Sequence, residues 1–350
     1  MMGLKTVSTK LEFFTLTKET WEAMYQDCLQ AENSINFEQY MLRGDKVGNR
    51  FLKLFRDKAK AGVSVHLLLD SFGSWGVRNS PLLKELEQAG GRVRFYKRLR
   101  SKHLMRPSSW WPRDHCKTML IDSKIAYTGG VCMAAFMHDW HDLHVRITGD
   151  LVHHMQAGTK KLIPQDTEQQ TDQGRFRYVA KFSKFKTNPI YNELLKEIDS
   201  AKKEVSLVTP YFFPPKRLRK AMKAAVKRGV NVQVMVSEKT DIPLATFISR
   251  SYYRSLMNAG IKIKVFHESV LHAKYAIIDE RWATMGSTNW DYLSLFYNRE
   301  ANLIIEEADI ISELRAIFEN DIATCKSAEN RLPIWMRLTW PLIRRIRKVL

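Results

Sequence analysis

A histidine and a lysine two residues apart, with an aspartate five residues further on, occur twice in this chain: His115, Lys117 and Asp122 in HCKTMLID, and His272, Lys274 and Asp279 in HAKYAIID. On an extended strand, residues two apart share a face, so each copy sets an imidazole beside an ammonium. That pair suits a phosphate ester. Lysine neutralises non-bridging oxygens, and a neutral imidazole attacks phosphorus or moves a proton near neutral pH. Two such faces brought together supply a nucleophile and a proton donor for the leaving oxygen. A carboxylate follows each copy at nearly the same distance, Asp142 and Glu300. Such a group can accept a hydrogen bond from the far ring nitrogen and so fix tautomer and orientation. After the second copy, Gly286, Ser287 and Asn289 offer close backbone approach and polar donors for phosphate oxygens.

For these residues to meet, two parts of the chain must fold alike, and the sequence repeats itself accordingly. AENSINFEQY is matched by AKKEVSLVTPYFF, FRDKAKAGVSVHLLLD by MKAAVKRGVNVQVMVS, and EQAGGRVRFY by MNAGIKIKVF. Helical patterns alternating with short β-branched runs predict βαβ units and a parallel or mixed sheet in each half. The expected architecture is therefore α/β: two pseudo-symmetric α/β/α domains with the active site at their interface. The first repeat is placed at residues 1–157 and the second at 175–327. Between them, 158–174 is polar and aperiodic, as a linker would be.

The formal net charge of +19 and isoelectric point near 9.7 predict a surface that attracts something anionic: nucleic acid, an acidic lipid surface or an acidic soluble substrate. Cys28, Cys116, Cys132 and Cys325 have neither disulfide-framework nor zinc-site spacing, which fits a reducing compartment. Cys116, between His115 and Lys117, is expected to point away from both. No secretory leader and no spanning run of roughly 18 apolar residues is evident, so membrane contact is expected to be peripheral. Residues 328–350 form a basic tail with Trp335, Leu338, Leu342, Ile346 and Val349 at helical spacing, the pattern of an interfacial helix or of one docked on the protein's own core.

The doubled motif, the steps GGVC and GSTN, the NRE that ends in Glu300, and the segments EQYMLRGD, TPYFFPP and WHDLHVRITG together resemble the phospholipase D superfamily, and within it the bacterial cardiolipin synthases. The resemblance runs from about Leu11 to Leu303. It implies phosphatidyl transfer through a phosphatidyl-histidine, with His115 as nucleophile and His272 as general acid and then base, two roles that pseudo-symmetry makes interchangeable. Asp122 and Asp279, part of the candidate catalytic set by motif, are expected to act as structural supports, since an anion beside phosphate would repel it. No cofactor or metal is implied. The implied partner is an anionic phospholipid surface carrying phosphatidylglycerol, at the cytoplasmic face of a bacterial inner membrane. The sequence departs from the family at Cys132, where the second half has Asn289, and at Leu293, where arginine is usual.

Other readings stay open at this stage. His138, His141 and His144 in HDWHDLH could share a helical face around a metal, although the segment runs into a strand-like pattern. The basic stretch KRLRSKHLMRPSSWWPRDH suits single-stranded nucleic acid, a lipid-facing lip or a plain solvated loop. A nuclease or phosphodiesterase acting on nucleic acid is thus the alternative function, and a pure membrane-binding module with a vestigial site is a third.

Overall fold

The computed structural model describes residues 8–97, 111–159, 169–181 and 188–329. The first half runs β1 (Lys10–Leu16), α1 (Thr17–Leu29), β2 (Ser34–Gln39), α2 (Lys46–Lys60), β3 (Ser64–Asp70), α3 (Pro81–Gln88), β4 (Arg92–Tyr96), β5 (Lys117–Ile121), β6 (Ile125–Gly129), β7 (His141–Thr148) and α4 (Asp150–Thr159). The second runs β8 (Gln169–Gln173), β9 (Phe176–Lys181), α5 (Pro189–Ser200), β10 (Glu204–Val208), α6 (Lys216–Lys227), β11 (Asn231–Ser237), α7 (Pro243–Met257), β12 (Lys262–Phe266), β13 (Tyr275–Ile278), β14 (Trp282–Gly286), α8 (Tyr292–Phe296), β15 (Glu300–Ile305), α9 (Ala308–Thr324) and β16 (Lys326–Ser327).

The sheets carry the repeat in their strand order. The first reads β1-β7-β6-β5-β2-β3-β4, and the second contains the same series as β9-β15-β14-β13-β10-β11-β12, extended by β8 at one edge and β16 at the other. Only β2-β3-β4 and β10-β11-β12 pair in parallel, each joined by helical crossovers; the remaining pairs are antiparallel, so the sheets are mixed. The stretch expected to be a linker contains β8, because QQTDQ is polar and lacks the alternation that marks a strand.

Alternation along the strands divides the core into three. Met119 and Ile121 of β5 face the helices of the first half, whereas Cys116, Leu120, Leu143, Val145 and Ile147 face the second sheet and pack with Tyr178, Ala180, Tyr275, Ile277 and Leu303. Helices α4 and α9 add Leu151, Met155, Leu314 and Phe318 to this shared core. Each sheet therefore has apolar packing on both faces, and the two halves are bound through a continuous interior. Cys116 points into that interior, as the sequence predicts.

Candidate active site

Each motif histidine lies in an extended segment just before its strand, and each segment bridges to the other half. Asp114 pairs with Arg299 and His141 with Leu271. The His115 amide donates to the Arg299 carbonyl at 3.0 Å, and the His272 amide donates to the His141 carbonyl at 2.6 Å. Arg299 and His141 immediately precede the two carboxylates, so these bridges set the pairing. His115 Nδ1 donates to Glu300 at 3.0–3.1 Å, and His272 Nδ1 donates to Asp142 at 2.7 Å. Each imidazole is thus oriented by the half it does not belong to, which chain order alone does not reveal. With the proton held on Nδ1, Nε2 keeps its lone pair.

Both histidines line one cavity of about 390 Å³, together with Tyr40, Trp140, Cys132 and Asn289. The Tyr40 ring meets His115 edge-on at 5.0 Å, and Trp140 packs on His272 at 5.3 Å. Burial is the main cause that lowers both imidazole pKa values, with Lys117 pushing the same way at His115 and Lys274 at His272, while the carboxylates oppose. Both rings are therefore neutral near pH 7. Asp142 stays ionised: burial pushes its carboxyl up, but His272 and Lys274 hold it at about 2. Burial also drives Lys274 down to about 8.

Lys117 and Lys274 are buried and are not among the side chains that line the cavity, and each ammonium donates to the carbonyl of its own motif histidine. Their charge reaches the site through a short low-dielectric path. Asp122 and Asp279 lie at the far ends of β5 and β13, about 16 Å along the chain from the lysines. Both have positive φ, 52° and 51°, and each accepts three backbone amides: Glu32, Asn33 and Ser34 for Asp122, and Lys202, Lys203 and Glu204 for Asp279. They clamp the turns that lead into β2 and β10. Their place in the motif is structural, so neither belongs with the groups that touch substrate.

Gly286 and Ser287, expected against phosphate, also serve as supports. A Cβ on Gly286 would lie 2.2 Å from the Ala301 carbonyl, and the Ser287 hydroxyl donates to Glu300. The first half solves the same problem differently: Gly130 replaces Ser287, and a Cβ there would sit 2.0 Å from Asp142 Oδ1. The shorter aspartate is drawn toward the backbone and requires glycine behind it; the longer glutamate leaves room for a hydroxyl. Asn289 does line the cavity, with its buried side-chain oxygen unbonded among the described residues. Leu293 is in the wall as well.

The histidines of HDWHDLH diverge. His138 is exposed beside Asp139, His141 Nε2 donates to Asp321 at 2.9 Å, and His144 is buried in a stack with Tyr127. Glu38, Asp114 and Cys116 form a close acidic group, but the Arg299 guanidinium donates to both carboxylates, at 3.1 and 3.0 Å, and supplies the charge a cation would. The basic stretch up to residue 110 and the tail from 330 lie outside the described residues. Tyr40, Trp140 and Arg113 fall inside segments quoted from the sequence, EQYMLRGD, WHDLHVRITG and the basic stretch that ends at His115, but were not singled out as site residues, and neither was Asp291. Burial pushes the Asp291 carboxyl up to about 7, and it caps α8 by accepting the Ser294 amide.

A duplicated α/β fold that joins two histidine–lysine motifs across its interface, each completed by the opposite half's carboxylate, defines the phospholipase D class. The fold is similar to that of the phosphatidylserine synthase of Haemophilus influenzae Rd KW20, with a TM-score of 0.77 and 13% identity, covering 97% of this chain and 93% of that one. Residues 25–136 and 194–322 match the family described as cardiolipin synthase, PLD-like domain. The chain is 32% identical over 320 residues to the minor cardiolipin synthase of Bacillus subtilis strain 168, covering 86% of this chain and 78% of that protein. It is 30% identical over 328 residues to a probable cardiolipin synthase of the same strain, covering 87% of this chain and 64% of that protein. The chain belongs to this cardiolipin synthase family of phosphatidyltransferase enzymes.

Proposed function

We propose that the protein transfers a phosphatidyl group from one phospholipid to the hydroxyl of another, phosphatidylglycerol being the acceptor in cardiolipin synthesis. The observation that carries this reading is the cavity itself: two oriented, neutral imidazoles in a chamber whose walls are otherwise largely apolar, with Phe72, Phe136, Ile242 and Leu244 exposed around it. A diacylglycerol body suits such walls better than a nucleotide chain does. The family relationship supports the same assignment.

In this mechanism His115 Nε2 attacks the donor phosphorus, and the P–O bond to the first alcohol breaks. The departing oxygen takes a proton from His272, whose protonated form is favoured once a phosphate anion is bound beside it. The covalent phosphatidyl-histidine then meets the acceptor hydroxyl. His272 removes its proton, the oxygen attacks phosphorus and the P–N bond breaks, restoring His115. Apolar walls disfavour water as the competing acceptor. The partner membrane is an anionic bilayer at the cytoplasmic face, to which the net positive charge is suited.

The test is incubation with phosphatidylglycerol vesicles in chelator, with lipid products resolved by mass. Cardiolipin is expected from the wild type. His115→Ala and His272→Ala should each lower the rate by roughly 10³-fold or more. Cleavage of an oligonucleotide with no lipid product would overturn the assignment.

A further inference from the structure

We propose that Arg113 forms a second anion subsite within the cavity, separate from the reacting phosphate, which holds the phosphate of the acceptor phospholipid. The proposal rests on the transfer reading above for the identity of its ligand, but the subsite itself follows from how Arg113 is built into the protein.

Arg113 is 6% exposed and lines the cavity with His115, His272 and Asn289. None of its three guanidinium nitrogens has a hydrogen-bond partner among the described residues. Its nearest carboxylate oxygen, Asp70 Oδ1, is 3.7 Å away. Asp70 is already committed elsewhere: Oδ1 accepts the Phe72 and Gly73 amides at 2.8 and 3.1 Å, and Oδ2 accepts the Asp114 amide at 2.9 Å. Asp70 thus balances the charge of Arg113 without using its donors. A guanidinium has five N–H groups in a planar fork, and leaving them undonated in a buried wall is costly unless a ligand takes them.

The internal repeat supplies an independent control. Asp70 and Arg113 correspond to Ser237 and Val270 in the second half. The Leu271 amide donates to the Ser237 hydroxyl at 2.9 Å, the counterpart of Asp114 donating to Asp70. The fold is therefore held at this point without either charge. What the first half adds is a lone arginine facing the cavity, and it breaks the pseudo-symmetry on the side of His115.

Transfer between two phospholipids brings two phosphates into one chamber. The reacting one meets the histidines and the field of the buried lysines. The acceptor's own phosphate takes no part in the chemistry, yet it is an anion in an apolar cavity and needs a donor set. Arginine is suited to it because the fork matches two phosphate oxygens at once. Arg113 and His115 are two residues apart in an extended segment, about 7 Å between Cα atoms. That spacing matches a glycerol unit that carries phosphate at one end and the attacking hydroxyl at the other.

The test uses the full chain and the double variant Asp70→Ser/Arg113→Val, which installs the pair the second half already folds with, alongside Arg113→Lys. Calorimetric titration with inorganic phosphate is expected to give two anions per chain in the wild type, one in the double variant, and two with a weakened second site in Arg113→Lys. In a transfer assay with a short-chain phosphatidylglycerol donor, glycerol phosphate and glycerol compete as acceptors. The double variant should lose roughly 30-fold in preference for glycerol phosphate over glycerol. Equal phosphate stoichiometry in wild type and double variant, or an unchanged acceptor preference, overturns the subsite. Absence of transfer in the wild type with stoichiometry still falling from two to one supports the subsite and instead overturns the phosphatidyl-transfer reading.

Discussion

At the scale of single residues, the site depends on two imidazole–carboxylate pairs that cross between the halves, His115 with Glu300 and His272 with Asp142. Chain order suggests that each carboxylate serves the motif it follows; the bridges at Asp114–Arg299 and His141–Leu271 reverse this. The crossing has a spectroscopic consequence. In ¹⁵N-imidazole spectra, Asp142→Asn should perturb the Nδ1–H signal of His272 and leave that of His115 in place, and Glu300→Gln should do the reverse. A perturbation of His115 by Asp142→Asn would show that the pairing is not crossed in solution. The histidines, lysines and both carboxylates were legible in sequence because motif spacing is local and repeated. Their partners were not, because partner choice is made by contacts more than a hundred residues apart.

At the scale of elements, Asp122 and Asp279 show how a motif can mix chemistry with construction. The lysine end of β5 meets the site and the aspartate end secures the turn before β2, so one short segment fixes both. Asp122→Ala should lower the melting temperature, with a loss of about 1–3 kcal/mol for the missing amide acceptors, while KM of the folded protein is unchanged. A large KM change with normal stability would return Asp122 to the catalytic group. Burial works against ionisation of Asp122, but the three amides prevail and its carboxyl lies below the ordinary value of 3.8. The folded state therefore binds its proton less readily than the unfolded one does, and the stabilisation present above that range is lost as pH falls through the lower folded value. The βαβ units and the doubled sheet were readable from periodicity and repetition. Strand β8 was not, since its five polar residues carry no alternation, and Arg113 was read only as one of the cations of the basic stretch before His115, because nothing in the sequence distinguishes the arginine that turns into the cavity from its neighbours.

At the scale of the whole molecule, most of the large exposed apolar side chains among the described residues gather in one region. Phe72, Phe136, Ile242 and Leu244 belong to the cavity wall, and Trp75 is three residues from Phe72; they range from 46 to 57% exposed. Arg43 stacks over Phe136 and Arg78 over Trp75, which sets cationic groups among the apolar ones. The proposed anionic bilayer would find both apolar and cationic partners in this combination. Replacing Phe72, Ile242 and Leu244 together by serine should weaken sedimentation with phosphatidylglycerol vesicles by roughly tenfold or more, with the melting temperature held. Unchanged sedimentation would overturn the reading of this region as a membrane contact.

A sequence present twice invites the thought that one copy is a spare. The exchanged carboxylates mean that it is not. Damage to β7 disables the histidine that follows β12, and damage to β15 disables the histidine that precedes β5, so the two copies live under a single sentence and neither can decay alone. Their differences come in matched sets within each half, aspartate with glycine in the first and glutamate with serine in the second, so each carboxylate offered to the twin's imidazole is fitted to the backbone of its own copy.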